Sequence, residues 1–258
     1  MFERLNGKTT LITGASAGFG KSTALLFAKY GSNLILTARR LPLLEDLKAQ
    51  ILLSNPNVSV YTAQLDVSDH EAVKLECAKI LAAHPIIDVL INNAGLAIGV
   101  DPLVDVAEST IDTVFNTNVK GLIYMTQQIL PSMLKNNHGH IINVGSIAGL
   151  DAYANGSIYC ASKHAVHAIS NSLRLETNSS RVRVSEICPG MVETEFSVIR
   201  FGGDKEKADN VYKGIEPMTP DDIAEIIAFT ASTHSRCVIS NLVTMANGQA
   251  NPFVLHRE

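Results

Sequence analysis

The sequence predicts one α/β domain built on a doubly wound parallel sheet of about seven strands, with helices on both faces. Two observations carry this. Short, continuous apolar runs alternate with amphipathic stretches from the N-terminus onward. Strands buried on both faces read as unbroken apolar runs, and regular alternation of strand and helix builds a parallel sheet. The first apolar run also ends in a glycine-rich turn, TGASAGFG (13–20), that opens directly into a helical stretch.

Taken in order, KTTLIT (8–13) reads as a strand, GKSTALLFAKYG (20–31) as a helix closed by glycine, and NLILTA (33–38) as a strand. PLLEDLKAQILL (42–53) is helical, with Leu and Ile recurring at three-to-four spacing, and NVSVYTAQLD (57–66) holds a strand. HEAVKLECAKILAAH (70–84) is a helix and IIDVLINNAG (86–95) a buried strand running into a turn. One long helical tract is expected from about 108 to 136, followed by the strand GHIINVGS (139–146) and a helix over about 152–178. RVRVSEICPG (181–190) is a strand stopped by Pro–Gly. The remainder reads as an irregular segment (193–218), a helix (about 220–232) and a last strand (241–246). No repeat or linker divides the chain, so residues 1–258 form one domain.

Composition narrows the function classes. An apolar content of 46% supports a large core, and 18% charged residues argue against disorder. A net charge of −4 with no basic run disfavours nucleic acid or an anionic membrane as partner. The N-terminus lacks the features of a signal peptide, and no apolar run approaches bilayer length. Cys77, Cys160, Cys188 and Cys237 show no paired or zinc spacing and read as reduced thiols of a cytoplasmic protein. The histidine pairs His138–His140 and His164–His167 lack acidic or thiol partners at ligand spacing, so no metal is expected.

The glycines of the first turn, Gly14, Gly18 and Gly20, permit a tight turn and close approach of backbone to a pyrophosphate, while the helix N-terminus favours an anion. Their spacing is GxxxGxG instead of the commoner GxGxxG, and a P-loop is excluded by the missing GK[ST]. The second strand ends in TARR. Arg39 and Arg40 stand where NAD-binding domains place an acid on the ribose, and arginine there suits the 2′-phosphate of NADP.

Tyr159 and Lys163 lie four residues apart in a helical stretch, hence on one face as neighbours. A phenol titrates near pH ~10, and an adjacent ammonium favours its ionised form. That is the tuning an acid/base group needs at neutral pH.

These pieces, TGASAGFG (13–20), LDV (65–67), NNAG (92–95), Asn118 in FNTNVKG, Ser146 in NVGS, YCASK (159–163) and PG followed by Thr194, resemble the short-chain dehydrogenase/reductase family, a single-domain Rossmann fold. ETEFSVIRF (193–201) and the tail look like its NADP-dependent 3-hydroxy acid dehydrogenase branch, which acts on serine, allo-threonine and related 3-hydroxy acids. The resemblance implies roles. Ser146 would bond the reacting oxygen, Tyr159 would be its acid/base, Lys163 would lower the Tyr159 pKa and hold the nicotinamide ribose, and Asn118 would anchor a water leading from Lys163 to solvent. For NADP it implies contacts from Gly14, Gly18, Phe19 and Gly20, from Asp66 and Val67 at the adenine, and from Asn93, Ala94 and Gly95 at the adenosine ribose. Pro189, Gly190, Val192 and Thr194 would line the nicotinamide amide, and Ser16 with Arg39 would take the 2′-phosphate. It also implies a homotetramer formed through the helices near 108–136 and 152–178.

Two residues depart from the pattern. Ala17 stands where many NADP-preferring relatives carry Lys or Arg, leaving the preference to the second-strand arginines. Leu150 stands where branch members can have Arg, which weakens the acid-substrate assignment if that Arg holds the acid. The cofactor half is expected over about 1–150 and the catalytic and substrate half over about 151–258, with a lid near 193–218. Arg200 within the lid suits a substrate carboxylate. The alternatives are a carbonyl reductase of neutral ketones and aldehydes, and an NADPH-binding protein without turnover; the complete Ser146, Tyr159, Lys163 and Asn118 set disfavours the latter.

Overall fold

The computed structural model describes residues 2–258. Seven strands, β1 (Thr9–Thr13), β2 (Asn33–Ala38), β3 (Val60–Gln64), β4 (Val89–Asn92), β5 (Gly139–Val144), β6 (Val182–Pro189) and β7 (Asn241–Thr244), form one sheet in the order β3-β2-β1-β4-β5-β6-β7. All six neighbouring pairs are parallel. Strand order reverses between β1 and β4, and in open α/β sheets the crevice beyond the strand ends at such a reversal is the ligand position.

Nine helices, α1 (Gly18–Lys29), α2 (Leu41–Ser54), α3 (His70–Ala83), α4 (Glu108–Phe115), α5 (Leu122–Lys135), α6 (Ser157–Glu176), α7 (Glu195–Arg200), α8 (Lys205–Tyr212) and α9 (Pro220–Ala231), are found among the described residues. Alternate strand residues serve opposite faces. Ile12, Leu36, Ile91 and Ile142 pack with Phe27 of α1, Leu44 of α2 and Ile227 of α9. Leu11, Ile35, Leu90 and Ile141 pack with Val73 of α3, Met125 of α5 and Leu173 of α6. This two-sided burial explains the unbroken apolar runs.

The predicted elements are present, with two corrections. The tract expected as one helix over 108–136 is interrupted at Asn116–Gly121, which takes the wider π winding between α4 and α5. Such single-turn bulges cluster at functional sites. The segment 193–218, read as irregular, contains α7 and α8. Each is opened by a side-chain cap: Thr194 Oγ1 accepts from Phe196 N (3.1 Å) and Asp204 Oδ1 from Lys207 N (3.1 Å). Two-turn helices are too short to show a periodic apolar face, so only the cap residues announced them.

Candidate active site

A cavity of about 340 Å³ opens at the strand-order reversal. Its lining includes Gly14, Ser16, Gly18 and Phe19 of the first turn, Arg39 and Arg40 after β2, and Asp66 and Val67 after β3. Asn93, Ala94 and Gly95 after β4, Ser146, Tyr159 and Lys163, and Pro189, Gly190, Val192 and Thr194 complete the predicted set. Gly20 and Asn118, also predicted, lie behind the wall.

The first turn is shaped by what it touches. Gly14 has φ +65°, and a Cβ there would fall 2.9 Å from Ala94 Cα. A Cβ at Gly20 would fall 2.6 Å from Gly14 O, so Gly20 serves the packing of α1 against the turn. Thr13 Oγ1 accepts from the amides of Asn93 and Ala94 at 3.0 Å each, and Asn93 Nδ2 donates to Thr13 O at 2.8 Å. These bonds lock the ends of β1 and β4 together. Ala17 provides no side-chain cap for α1, so its first amides remain available to an anion.

At the other end of the groove, Arg40 donates to Ser16 Oγ through Nε (3.3 Å) and Nη2 (3.2 Å) and pairs with Glu195 at 3.1 Å. Arg39 is exposed, its carbonyl accepting from Gln64 Nε2. Arg40, more than Arg39, is the arginine joined to Ser16.

Ser146, Tyr159 and Lys163 converge on the opposite end. Ser146 opens a short 3-10 turn, its Oγ accepting from Ala148 N at 3.1 Å. Lys163 is buried, donates to Val144 O at 2.8 Å and lies 5.9 Å from the centre of the Tyr159 ring. Burial lowers its pKa to about 8. For Tyr159 the structure corrects the expectation of a lowered pKa: desolvation pushes it up, and the Ser146 hydrogen bond and the Arg200 charge pull down without prevailing. The physical reason is a dry wall around the phenol, with the Lys163 ammonium directed at a backbone carbonyl.

Asn118, within the π segment, commits its side chain to structure. Its Oδ1 accepts from Leu96 N (2.8 Å), and its Nδ2 donates to Leu96 O (2.8 Å) and Ser162 Oγ (3.1 Å). It still adjoins the lysine: a Cβ at Gly95 would lie 3.3 Å from Asn118 Oδ1 and 3.6 Å from Lys163 Nζ.

Several wall residues were not singled out from sequence. Phe196 meets the Tyr159 ring edge-on with centres 5.5 Å apart, and Glu195 and Ile199 complete the α7 side. Behind that wall Tyr153 carries Arg200 over its ring at 5.5 Å, and Arg200 Nε donates to Gly99 O at 3.1 Å; neither Tyr153 nor the predicted Arg200 lines the cavity itself. Nothing in the spacing of Tyr153 marked it, although the Thr194 cap places the α7 residues. Leu150 does not line the cavity.

A family model described as short chain dehydrogenase matches residues 8–201. An NADP-dependent 3-hydroxy acid dehydrogenase of Schizosaccharomyces pombe is 46% identical over 256 residues, covering 99% of this chain and 98% of that protein. A protein of the same description from Salmonella typhimurium is 42% identical over 236 residues, 91% of this chain and 93% of its own length. Among solved structures, the closed form of serine dehydrogenase complexed with NADP+ superposes with a TM-score of 0.88 at 39% identity, over 97% of this chain and 100% of that one.

Proposed function

The chain belongs to the short chain dehydrogenase family, and from that premise we propose that it is an NADP-dependent oxidoreductase of small 3-hydroxy acids or 3-hydroxy amino acids, of the serine, allo-threonine or 3-hydroxyisobutyrate type. The observation that carries the reading is the convergence of Ser146, Tyr159 and Lys163 at one end of a groove whose other end holds Arg40 bonded to Ser16. The relatives' shared description as NADP-dependent 3-hydroxy acid dehydrogenases supports the cofactor and the substrate class.

The residues fit a phosphorylated dinucleotide. Gly14 and Gly18 adopt positive φ and leave the floor of the turn bare, the α1 amides face an anion, and Arg40 with Ser16 supplies donors for a 2′-phosphate. Arg39 adds positive charge beside them. Asp66 and Val67 border the adenine end, Asn93, Ala94 and Gly95 the adenosine ribose, and Pro189, Gly190, Val192 and Thr194 the nicotinamide end. When bound, NADP supplies the carbon that accepts or gives up the hydride.

The chain's own residues position the substrate and move its proton. Ser146 Oγ bonds the reacting oxygen and aligns it with the Tyr159 hydroxyl. Tyr159 takes the hydroxyl proton in oxidation as the phenolate and, as the phenol, returns it in reduction. Lys163, buried and held by Val144 O, stabilises the phenolate that forms and offers donors to the nicotinamide ribose. Asn118 fixes the loop against which Lys163 rests. Arg200, held by Gly99 O and the Tyr153 ring, takes the substrate carboxylate in the geometry guanidinium favours. α7 and α8 form the lid over the substrate, excluding water during transfer.

The walls contributed by Phe196 and Ile199 are apolar, which favours reduction of neutral ketones as the second reading. A panel of NADP+ reduction with serine, allo-threonine, 3-hydroxyisobutyrate and simple secondary alcohols separates the two. Preference for the acids supports the first reading; indifference to substrate charge contradicts it.

No described helix is long and apolar enough to cross a membrane. The free thiols of Cys77, Cys160, Cys188 and Cys237 support a cytoplasmic location. Exposed Leu134 on α5 and Leu175 on α6 support assembly through these helices as a homotetramer, which sedimentation or light scattering measures directly.

A further inference from the structure

A row of polar side chains crosses four strands of the sheet beside α6. Register sets Asn92 beside Asn143, Asn143 beside Glu186, and Glu186 beside Asn241. Asn92 Nδ2 donates to Asn143 Oδ1 (2.9 Å), Asn143 Nδ2 to Ser170 Oγ on α6 (2.9 Å), and Asn241 Nδ2 to Glu186 Oε2 (3.0 Å). Glu186 is the ionisable member of the row and is fully buried. Its Oε2 also pairs with His167 Nδ1 at 2.7 Å, while Oε1 has no hydrogen-bond partner among the described residues.

A fully buried carboxylate is costly unless its surroundings compensate for lost water. Oε1 presses on Gly145, where an added Cβ would collide with it. Gly145 lies between Val144, whose carbonyl holds Lys163 Nζ, and Ser146. On α6, Tyr159, Lys163 and His167 recur every fourth residue, forming one stripe that sets Lys163 at Val144 and His167 at Glu186.

The geometry points to Glu186 as the fixed counter-charge of Lys163, a positioning residue held beside the Val144–Ser146 backbone by His167 and Asn241. This rests on the role given above to Lys163. In a dry interior a charge acts strongly over the intervening backbone. Burial alone drives Lys163 toward losing its proton, and the Glu186 field opposes that loss. The titratable groups facing Lys163 are Tyr159 on α6 and Cys188 and Glu186 on β6; Cys188 is held at about 12 by burial and stays a thiol in the working range. Those facing Glu186 are His167 and Arg174 on α6 and Cys188 on β6, while β5 and β7 present Asn143 and Asn241.

The sign follows. Removing the negative charge lets the Lys163 pKa fall further, so the ammonium is lost at lower pH and the alkaline limb of turnover moves toward acid. The test is the pH profile of kcat for NADP+-dependent oxidation of serine by wild type, Glu186→Gln and Glu186→Asp, with melting temperatures alongside. The expected result is an alkaline limb moved acidward by about one pH unit in Glu186→Gln, and restored toward the wild-type position in Glu186→Asp. Should Glu186→Gln fail to fold, His167→Ala carries the test: water admitted beside the carboxylate screens its charge, and the limb moves the same way by less. A limb at the wild-type pH in the folded variant overturns the inference, whatever happens to kcat or melting temperature. Wild type that oxidises neither serine nor the rest of the panel would instead overturn the proposed function.

Discussion

Arg40 and Glu195 meet across the mouth of the cavity, Nη2 lying 3.1 Å from Oε2, so the turn after β2 is tied to the first residue of α7. Both side chains are about half exposed, at 47% and 57%, and a surface pair of this kind is weak. A phosphate carries more charge than a carboxylate and readily takes over the guanidinium. Arg40→Ala therefore raises the Kd for NADPH by about tenfold, while that for NADH changes little. Glu195→Gln, which removes the competitor, tightens NADPH binding. Titration of nicotinamide fluorescence with the two cofactors measures both effects.

Arg200 is held against Gly99 O and the Tyr153 side chain at the edge of the site, and the proposed function gives it the substrate carboxylate. Arg200→Ala raises the KM for serine by about tenfold or more, as expected for loss of a charge-assisted bidentate contact. The KM for an uncharged secondary alcohol stays near its wild-type value. Parallel steady-state kinetics on the two substrates distinguish loss of carboxylate binding from general damage to the wall.

The sheet, and the gathering of most predicted residues at one candidate site, were legible in the sequence because each rests on a local signal. Continuous apolar runs marked the strands, the glycines marked a turn that must approach Ala94 closely, and Tyr159 with Lys163 shared a helix face. What stayed hidden depended on contacts remote in sequence. The Arg40–Glu195 pair spans 155 residues and the Arg200–Gly99 contact 101, and no spacing rule links either pair. The upward pull on Tyr159 was equally unreadable, since desolvation comes from the assembled wall and not from the neighbouring lysine. The π winding at Asn116–Gly121 was hidden for another reason: its residues continue a helical pattern, and the bonds of Asn118 to Leu96 and Ser162 within it are remote in sequence.

Asp88, just before β4, binds the amide of Thr9 (2.8 Å), Lys8 Nζ (2.9 Å) and the His138 ring (2.8 Å). Burial by itself would raise its pKa, but these three partners outweigh that and hold it below the usual carboxylate range. A depressed folded-state pKa means the stabilisation is present above the unfolded value near ~3.9 and is lost as pH falls through the folded value. Asp88→Asn thus destabilises the protein by about 1–3 kcal/mol at neutral pH. The gap to wild type narrows in acid. Urea unfolding at pH 7 and at pH 3 checks the sign.

Tyr159 lines the cavity together with Ser146, Lys163 and Pro189, and its hydroxyl is the proton's only route in the proposed chemistry. Tyr159→Phe deletes that hydroxyl and keeps the ring against Phe196. Turnover of serine with NADP+ should fall by about 10²–10⁴-fold, the usual worth of a positioned acid/base group, with the Kd for NADPH close to that of wild type. A phenylalanine variant that binds NADPH and oxidises serine at the wild-type rate would contradict the proposed role of Tyr159 and the mechanism built on it.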